Sequence, residues 1–370
     1  MHRRLVLSIG LVVCCLQLSL RAESRIGMYC TVLNSEGETA QFIAKCHAAG
    51  VATLYPSLCG GSTVVWKTDR EDYYVSMRDK LAAGYDPLEV FIRQAHAAGM
   101  KVYPSVVCGF GGRILRDHPE WETRDRNGQP SSKTASAYFS FAIPEARAAK
   151  IALFMDLVNG YDIDGLFLDE CNYPVSSVSA ETKYGFYGYD GPLVDACKSL
   201  FGFDPAKEAI DSENWKVYNK MKAETVTAFV RELRTAVKGS KPNVRLGGYA
   251  DVDPDMEMRS CGRDYATWCR RGYVDDLFLA TYVQKVPEMK TVVSHVRQVI
   301  GNDVKLYSSL CPFNEFLKTN AEMVSAANAQ LAGKADGLWV YRDDFVDKLK
   351  LWDGVQEANA ILVKHAGGKP

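Results

Sequence analysis

Apolar positions along the chain follow two alternating rhythms. Short runs rich in β-branched and aromatic residues read as buried strands, at residues 26–33, 51–58, 101–108, 165–169, 244–250, 276–283, 304–311 and 337–341. Between them lie stretches of helical period, at residues 39–49, 87–98, 144–159, 213–237, 266–271, 287–300, 321–331 and 346–364. Gly50 and Gly99 stop the first two helices, because a glycine past a helix end accepts the left-handed conformation without strain. Pro144 sits at a favoured first-turn position. Ser212 is placed to cap the fourth and Gly239 to stop it; Asn320 is placed to cap the seventh. Strand and helix in strict alternation predict a parallel sheet joined by crossovers. Eight such units favour an α/β fold of the closed (β/α)8 kind, a TIM barrel, over an open doubly wound sheet. No Gly-x-Gly-x-x-Gly follows any strand, so dinucleotide binding has no support. The barrel is expected to occupy residues 23–370 as one domain, with long loops after strands two, three and four at residues 59–86, 109–143 and 171–211. All three leave the strand-to-helix side, the face on which barrel enzymes build active sites.

The start of the chain changes the picture of location. Met1-His2-Arg3-Arg4 is positive, residues 5–20 are almost wholly apolar, and Ala22 is a candidate cleavage site. Residues 1–22 read as a secretory signal peptide rather than a spanning helix, which needs about 20 apolar residues. The mature protein is therefore expected to be secreted or periplasmic, off the membrane once cleaved. Net charge is -1, with 44 Lys+Arg against 45 Asp+Glu, which argues against a nucleic-acid partner. Of 11 cysteines, two fall in the leader; the odd remainder reads mostly as small buried hydrophobes, with room for a few bridges.

Chemistry concentrates where strands end. In Asp164-Gly165-Leu166-Phe167-Leu168-Asp169-Glu170, an apolar strand ends on two carboxylates, and a charge there is costly unless paired or used. Alternation along the strand puts Asp169 on the same face as Phe167, pointing into the barrel mouth. Glu170 begins on the other face, although a strand that has ended can turn it back. Strand five leads to Asp251 and Asp253, strand six to Tyr282, strand seven to Glu315, and strand eight runs through Trp339 to Asp343. Carboxylates among aromatics suit sugars: rings stack on apolar sugar faces and oxygens bind hydroxyls. Trp66, Asn172, Tyr173, Tyr282, Trp339 and Asp343 are candidate substrate contacts, and His118 lies in a loop able to reach the cleft. No metal motif, cofactor motif or Gly-x-Ser-x-Gly elbow is present, so neither metal nor cofactor is implied.

These segments carry a family resemblance. Residues 86–89 (Asp-Pro-Leu-Glu) and 96–103, His118-Pro119-Glu120-Trp121 through Gly128, Tyr161 through Glu170, Tyr173-Pro174, Tyr184-Gly185-Phe186, Phe203-Asp204-Pro205, the Trp215 helix and Lys241-Pro242-Asn243-Val244 recur in order. In this the chain resembles the glycosyl hydrolases called glycosyl-hydrolase-like family ten. The resemblance implies a glycosidase-like TIM barrel acting on an oligo- or polysaccharide, with the family's strand-four aspartate at Asp169. Two departures stand out: no glutamate ends strand five, and Val283 follows Tyr282 where the family carries a Tyr-Trp pair. Two assignments of the paired carboxylates follow. In the preferred one, similar to α-amylase-type barrels, Asp169 is the nucleophile and Asp251 or Asp253 the acid. In the other, similar to retaining β-glycosidases, Glu170 is the acid/base and Glu315 the nucleophile. The alternative to an enzyme is a catalytically idle barrel that binds glycan or protein.

Overall fold

The computed structural model describes residues 26–60, 62–133, 136–175, 186–313 and 316–367; the expected leader at residues 1–22 lies outside them. Among the described residues eleven strands form one sheet: β1 (Ile26–Thr31), β2 (Thr53–Gly60), β3 (Thr63–Val64), β4 (Asp72–Tyr73), β5 (Lys101–Val102), β6 (Ser105–Val107), β7 (Gly165–Asp169), β8 (Arg245–Ala250), β9 (Asp276–Leu279), β10 (Lys305–Leu310) and β11 (Gly337–Val340). β1 pairs in parallel with both β2 and β11, so the sheet closes. β5 and β6 are one barrel strand interrupted at Pro104. A proline cannot donate to the ladder, but its carbonyl still accepts from Phe167 N–H at 2.8 Å. All eight strands expected from the sequence are present, in a closed eight-strand parallel barrel.

Among the described residues thirteen helices accompany them: α1 (Glu36–Ala48), α2 (Val75–Ala82), α3 (Pro87–Ala97), α4 (Arg113–Asp117), α5 (Pro144–Gly160), α6 (Gly191–Phe201), α7 (Glu213–Ser240), α8 (Pro254–Cys261), α9 (Tyr265–Arg270), α10 (Val286–Ile300), α11 (Asn320–Ala332), α12 (Asp343–Leu349) and α13 (Trp352–Gly367). The Ser212 hydroxyl accepts from Trp215 N–H and starts α7, as its position predicts. Gly239 does not stop that helix, which runs on to Ser240. α11 is capped by Thr319, not Asn320: the Thr319 hydroxyl accepts from Glu322 N–H while Glu322 reaches back. The last predicted helix is two helices, broken where Lys350 takes a left-handed φ of 57°.

The barrel interior is packed with rings. Tyr29, Tyr55, Tyr103, Phe167, Phe278 and Trp339 fill it, buried to 7% exposure or less. Glycines on neighbouring strands make the space: a Cβ on Gly27 would stand 2.2 Å from the Tyr55 ring, and one on Gly247 2.1 Å from Phe278. This layering of large against absent side chains fixes which residues can rise toward either mouth. All nine cysteines among the described residues are buried and unbridged.

Candidate active site

Asp169 ends β7 facing inward, above Phe167 in the same row. The Tyr29 hydroxyl donates to its Oδ2 at 3.4 Å and itself accepts from Ser105 Oγ at 3.3 Å. The N–H of Glu170 donates to Oδ1 at 2.9 Å. Burial, then the neighbouring Glu170 charge, push the Asp169 carboxyl up to about 6, against the opposing pull of Arg263. Glu170 takes a φ of 42°. That left-handed turn reverses the expected alternation and brings its carboxylate near Asp169, where the Tyr138 hydroxyl donates to Oε2. Tyr138 arrives from the long loop after β6, which folds back through an antiparallel bridge with Phe110.

A belt of tyrosines surrounds this pair. Tyr29 packs on Tyr341 at 5.1 Å between ring centroids, Tyr341 on Tyr282 at 5.1 Å, and Tyr282 on Tyr249 at 6.3 Å. Tyr138, Tyr249, Tyr282 and Tyr341 all feel the Asp169 charge, and burial with that charge pushes their hydroxyls upward. They stay protonated donors, the form that binds a sugar oxygen or a developing negative charge.

The neighbouring wall comes from the segment after β8. Asp251 accepts from Tyr249 OH at 3.1 Å and from Arg263 Nη1 at 3.4 Å. Arg263 also donates from Nη1 to both oxygens of Glu257 at 2.8 Å and from Nη2 to Asn172 Oδ1 at 2.5 Å. Its guanidinium lies 4.8 Å from the Tyr249 ring centroid. Burial and Asp251 push Glu257 upward, while Arg263 holds it down.

The sequence-predicted residues divide accordingly. Asp169, Glu170, Asp251 and the half-buried Tyr282 come together at the mouth. Asp253 does not: its carboxylate accepts from Met256 N–H and caps α8. Asn172 is buried and holds structure, donating to Tyr173 O and accepting from Arg263. Trp66, Tyr173 and Trp339 are each 0% exposed and offer no open face to a sugar. Trp66 packs on Phe154 of α5, Tyr173 on Phe141 with its hydroxyl at Thr225, and Trp339 lies beneath Tyr282 and Tyr341. His118 stacks on Trp121 at 3.9 Å and pairs with Glu120, in a small pocket over Ala149 and Leu153 of α5 rather than in the mouth. Asp343 neighbours Cys30 and Cys46, on the α1 side of β1. Glu315 lies outside the described residues.

Sequence reasoning missed Tyr29, Tyr138, Tyr249, Glu257 and Arg263. The tyrosines carry no signal that separates them from core aromatics. Arg263 follows Gly262, whose φ of 79° ends α8, so a helix stop marked the turn that delivers it. No group of three or more His, Cys, Asp or Glu among the described residues is arranged to hold a metal ion.

Carboxylates and tyrosines thus gather at the C-terminal ends of the strands of an aromatic-filled (β/α)8 barrel. The family model of glycosyl hydrolase-like 10 matches residues 24–312, and the chain belongs to that family. The fold is similar to the PgaB (BpsB) glycoside hydrolase domain from Bordetella bronchiseptica, at TM-score 0.70 and 13% identity over 90% of this chain and 98% of that one. It is also similar to the catalytic domain of a β-amylase from Paenibacillus polymyxa, at TM-score 0.64 and 12% identity over 94% and 99% of the two chains. A β-galactosidase from Marinomonas ef1 matches at TM-score 0.64 and 10% identity, over 91% of this chain and 59% of that one. No curated protein sequence matches the chain. No helix among the described residues is long and apolar enough to cross a membrane.

Proposed function

We propose that the protein is a glycoside hydrolase that cleaves O-glycosidic bonds in an extracellular or cell-envelope glycan. The observation that carries the reading is Asp169: an inward carboxylate at the end of the fourth barrel strand, desolvated, and bordered by hydroxyls rather than by a tightly paired cation. With a pKa near 6 it is mostly ionised at neutral pH. In that form it attacks or stabilises the oxocarbenium-like centre of a bound sugar. Asp251, on the next strand, serves as the acid that protonates the leaving oxygen. It accepts from the Tyr249 hydroxyl and from Arg263. Tyr29 and Tyr282 border the floor and supply hydroxyls. The positive, apolar start of the chain supports export, and a polysaccharide outside the cytoplasm is the fitting substrate.

The test is hydrolysis across a glycan panel by the wild-type protein and Asp169→Asn. The variant keeps the shape and one acceptor oxygen but lacks the charge, and turnover is expected to fall by at least about 10³-fold. Equal turnover would remove Asp169 from the mechanism.

A further inference from the structure

Arg263 occupies an unusual place for a cation. Its side chain is 5% exposed, it sits between α8 and α9, and it holds groups from two different barrel strands. Nη2 grips Asn172, three residues beyond Asp169, while Nη1 grips Asp251 and Glu257 beyond β8. Burying a guanidinium is costly unless its charge and its donors are met. Glu257 meets the charge with both oxygens, and the Tyr249 ring covers one face. Nε remains a buried donor without a partner. The molecule thus retains an imperfectly satisfied arginine at the seam between the two segments that carry the proposed nucleophile and acid. A hydrophobic seam would pack as well without that cost, which points to a task for the fork.

We propose that Arg263, braced by Glu257, is the positioning residue of the site: its guanidinium ties the Asp251 segment to the Asn172 segment and so sets where Asp251 stands relative to Asp169. The inference rests on the hydrolytic reading for its consequence in turnover, but not for its geometry. The charged and titratable groups around Asp169 are Glu170, Arg263, the Cys108 thiol and the hydroxyls of Tyr29, Tyr138, Tyr249, Tyr282 and Tyr341. Arg263 is the cation among them that opposes the rise of the Asp169 carboxyl. Removing it therefore has two separable effects, a higher Asp169 midpoint and a displaced Asp251.

The test uses Arg263→Lys and the paired variant Arg263→Gln with Glu257→Gln. Arg263→Gln alone strands a buried carboxylate and is expected to fold poorly; the paired variant removes both charges and keeps both shapes. Carboxyl ¹³C NMR titration, with Asp169→Asn for assignment, reads the Asp169 midpoint without any substrate. The midpoint is expected to move to higher pH in the paired variant and to stay close to wild type in Arg263→Lys. On a hydrolysed glycan, both variants are expected to lose kcat by about 10- to 100-fold with KM nearly unchanged, because a fork is lost in each and a small misplacement is costly. A folded paired variant with wild-type midpoint and wild-type kcat overturns the proposal. A wild-type protein that hydrolyses nothing, yet shows in the paired variant both the shifted Asp169 midpoint and a displaced Asp251 carboxyl resonance, overturns the hydrolytic reading and leaves the positioning role of Arg263 standing.

Discussion

The two mouths of the barrel give their inward carboxylates different company, although burial raises the Asp276 carboxyl at one as it raises that of Asp169 at the other. At the N-terminal mouth, where the strands begin, carboxylates face cations. Asp276 takes a two-pronged contact from Arg245, at 2.6 and 2.8 Å, and Asp336 lies between Arg297 and Lys305. Burial works against Asp275, but the Leu246 N–H with Lys238 and Arg234 holds it below the usual range. At the C-terminal mouth Asp169 has a carboxylate and tyrosines for company, and its pKa climbs to about 6. A cavity of about 610 Å³ opens at the N-terminal mouth, lined by residues such as Lys101, Arg245 and Lys305. Size therefore does not identify the site. Paired charges hold a structure together; a buried carboxylate left without a close cation costs stability and is available for chemistry.

The contrast breaks first at Asp276. Asp276→Asn removes the buried carboxylate that the half-exposed Arg245 grips and leaves it only the charge of Asp275, and denaturant unfolding is expected to show a loss of about 2–3 kcal/mol. Turnover of the folded fraction should stay within about twofold of wild type, since the pair lies at the mouth opposite Asp169. A selective loss of kcat there would erase the distinction between the two ends.

Asp169→Asn sharpens it from the other side. The folded pKa of Asp169 is raised, so its contribution to stability is present below the unfolded value of about 3.9 and is lost as pH rises through about 6. Above pH 6 the native carboxylate therefore weakens the fold. The amide variant should be more stable than wild type by about 2 kcal/mol at pH 7.5 and equal to it at pH 4. A variant less stable at both pH values would mean that Asp169 holds structure, as Asp276 does. The smallest effect belongs to the exposed rim: Lys305 contacts Asp336 at 3.6 Å with half its side chain in solvent. Lys305→Ala should change stability by less than about 1 kcal/mol, measured by thermal melt.

Much of this frame is legible in the amino-acid pattern, because a closed parallel barrel forces apolar runs at each strand and glycine stops between units. Asp169 is legible for the same reason: a carboxylate that ends an apolar strand interrupts the pattern it terminates. Glu170 is legible as a candidate acid, but its place beside Asp169 is set by a left-handed backbone that strand alternation does not encode. Trp66 reads as a loop tryptophan free to meet a sugar, yet the β3–β4 excursion folds down onto α5 and buries it. Asp253 and Asp343 read as strand-end acids, but each falls in or just before a helical first turn, where backbone N–H groups and packing set its surroundings. The tyrosine belt and the Arg263 fork depend on contacts between segments as far apart as Asn172 and Arg263, and no local period encodes them.

The most direct measurement is the pH dependence of kcat/KM on a hydrolysed glycan, because it reads the protonation of the free site. With Asp169 as the ionised partner, and with a leaving group acidic enough to depart without the acid, kcat/KM should rise with pH through an apparent pKa of about 6, and Asp169→Asn should abolish the rise together with the turnover. Activity that is flat across this range, or that falls through 6, would contradict the account.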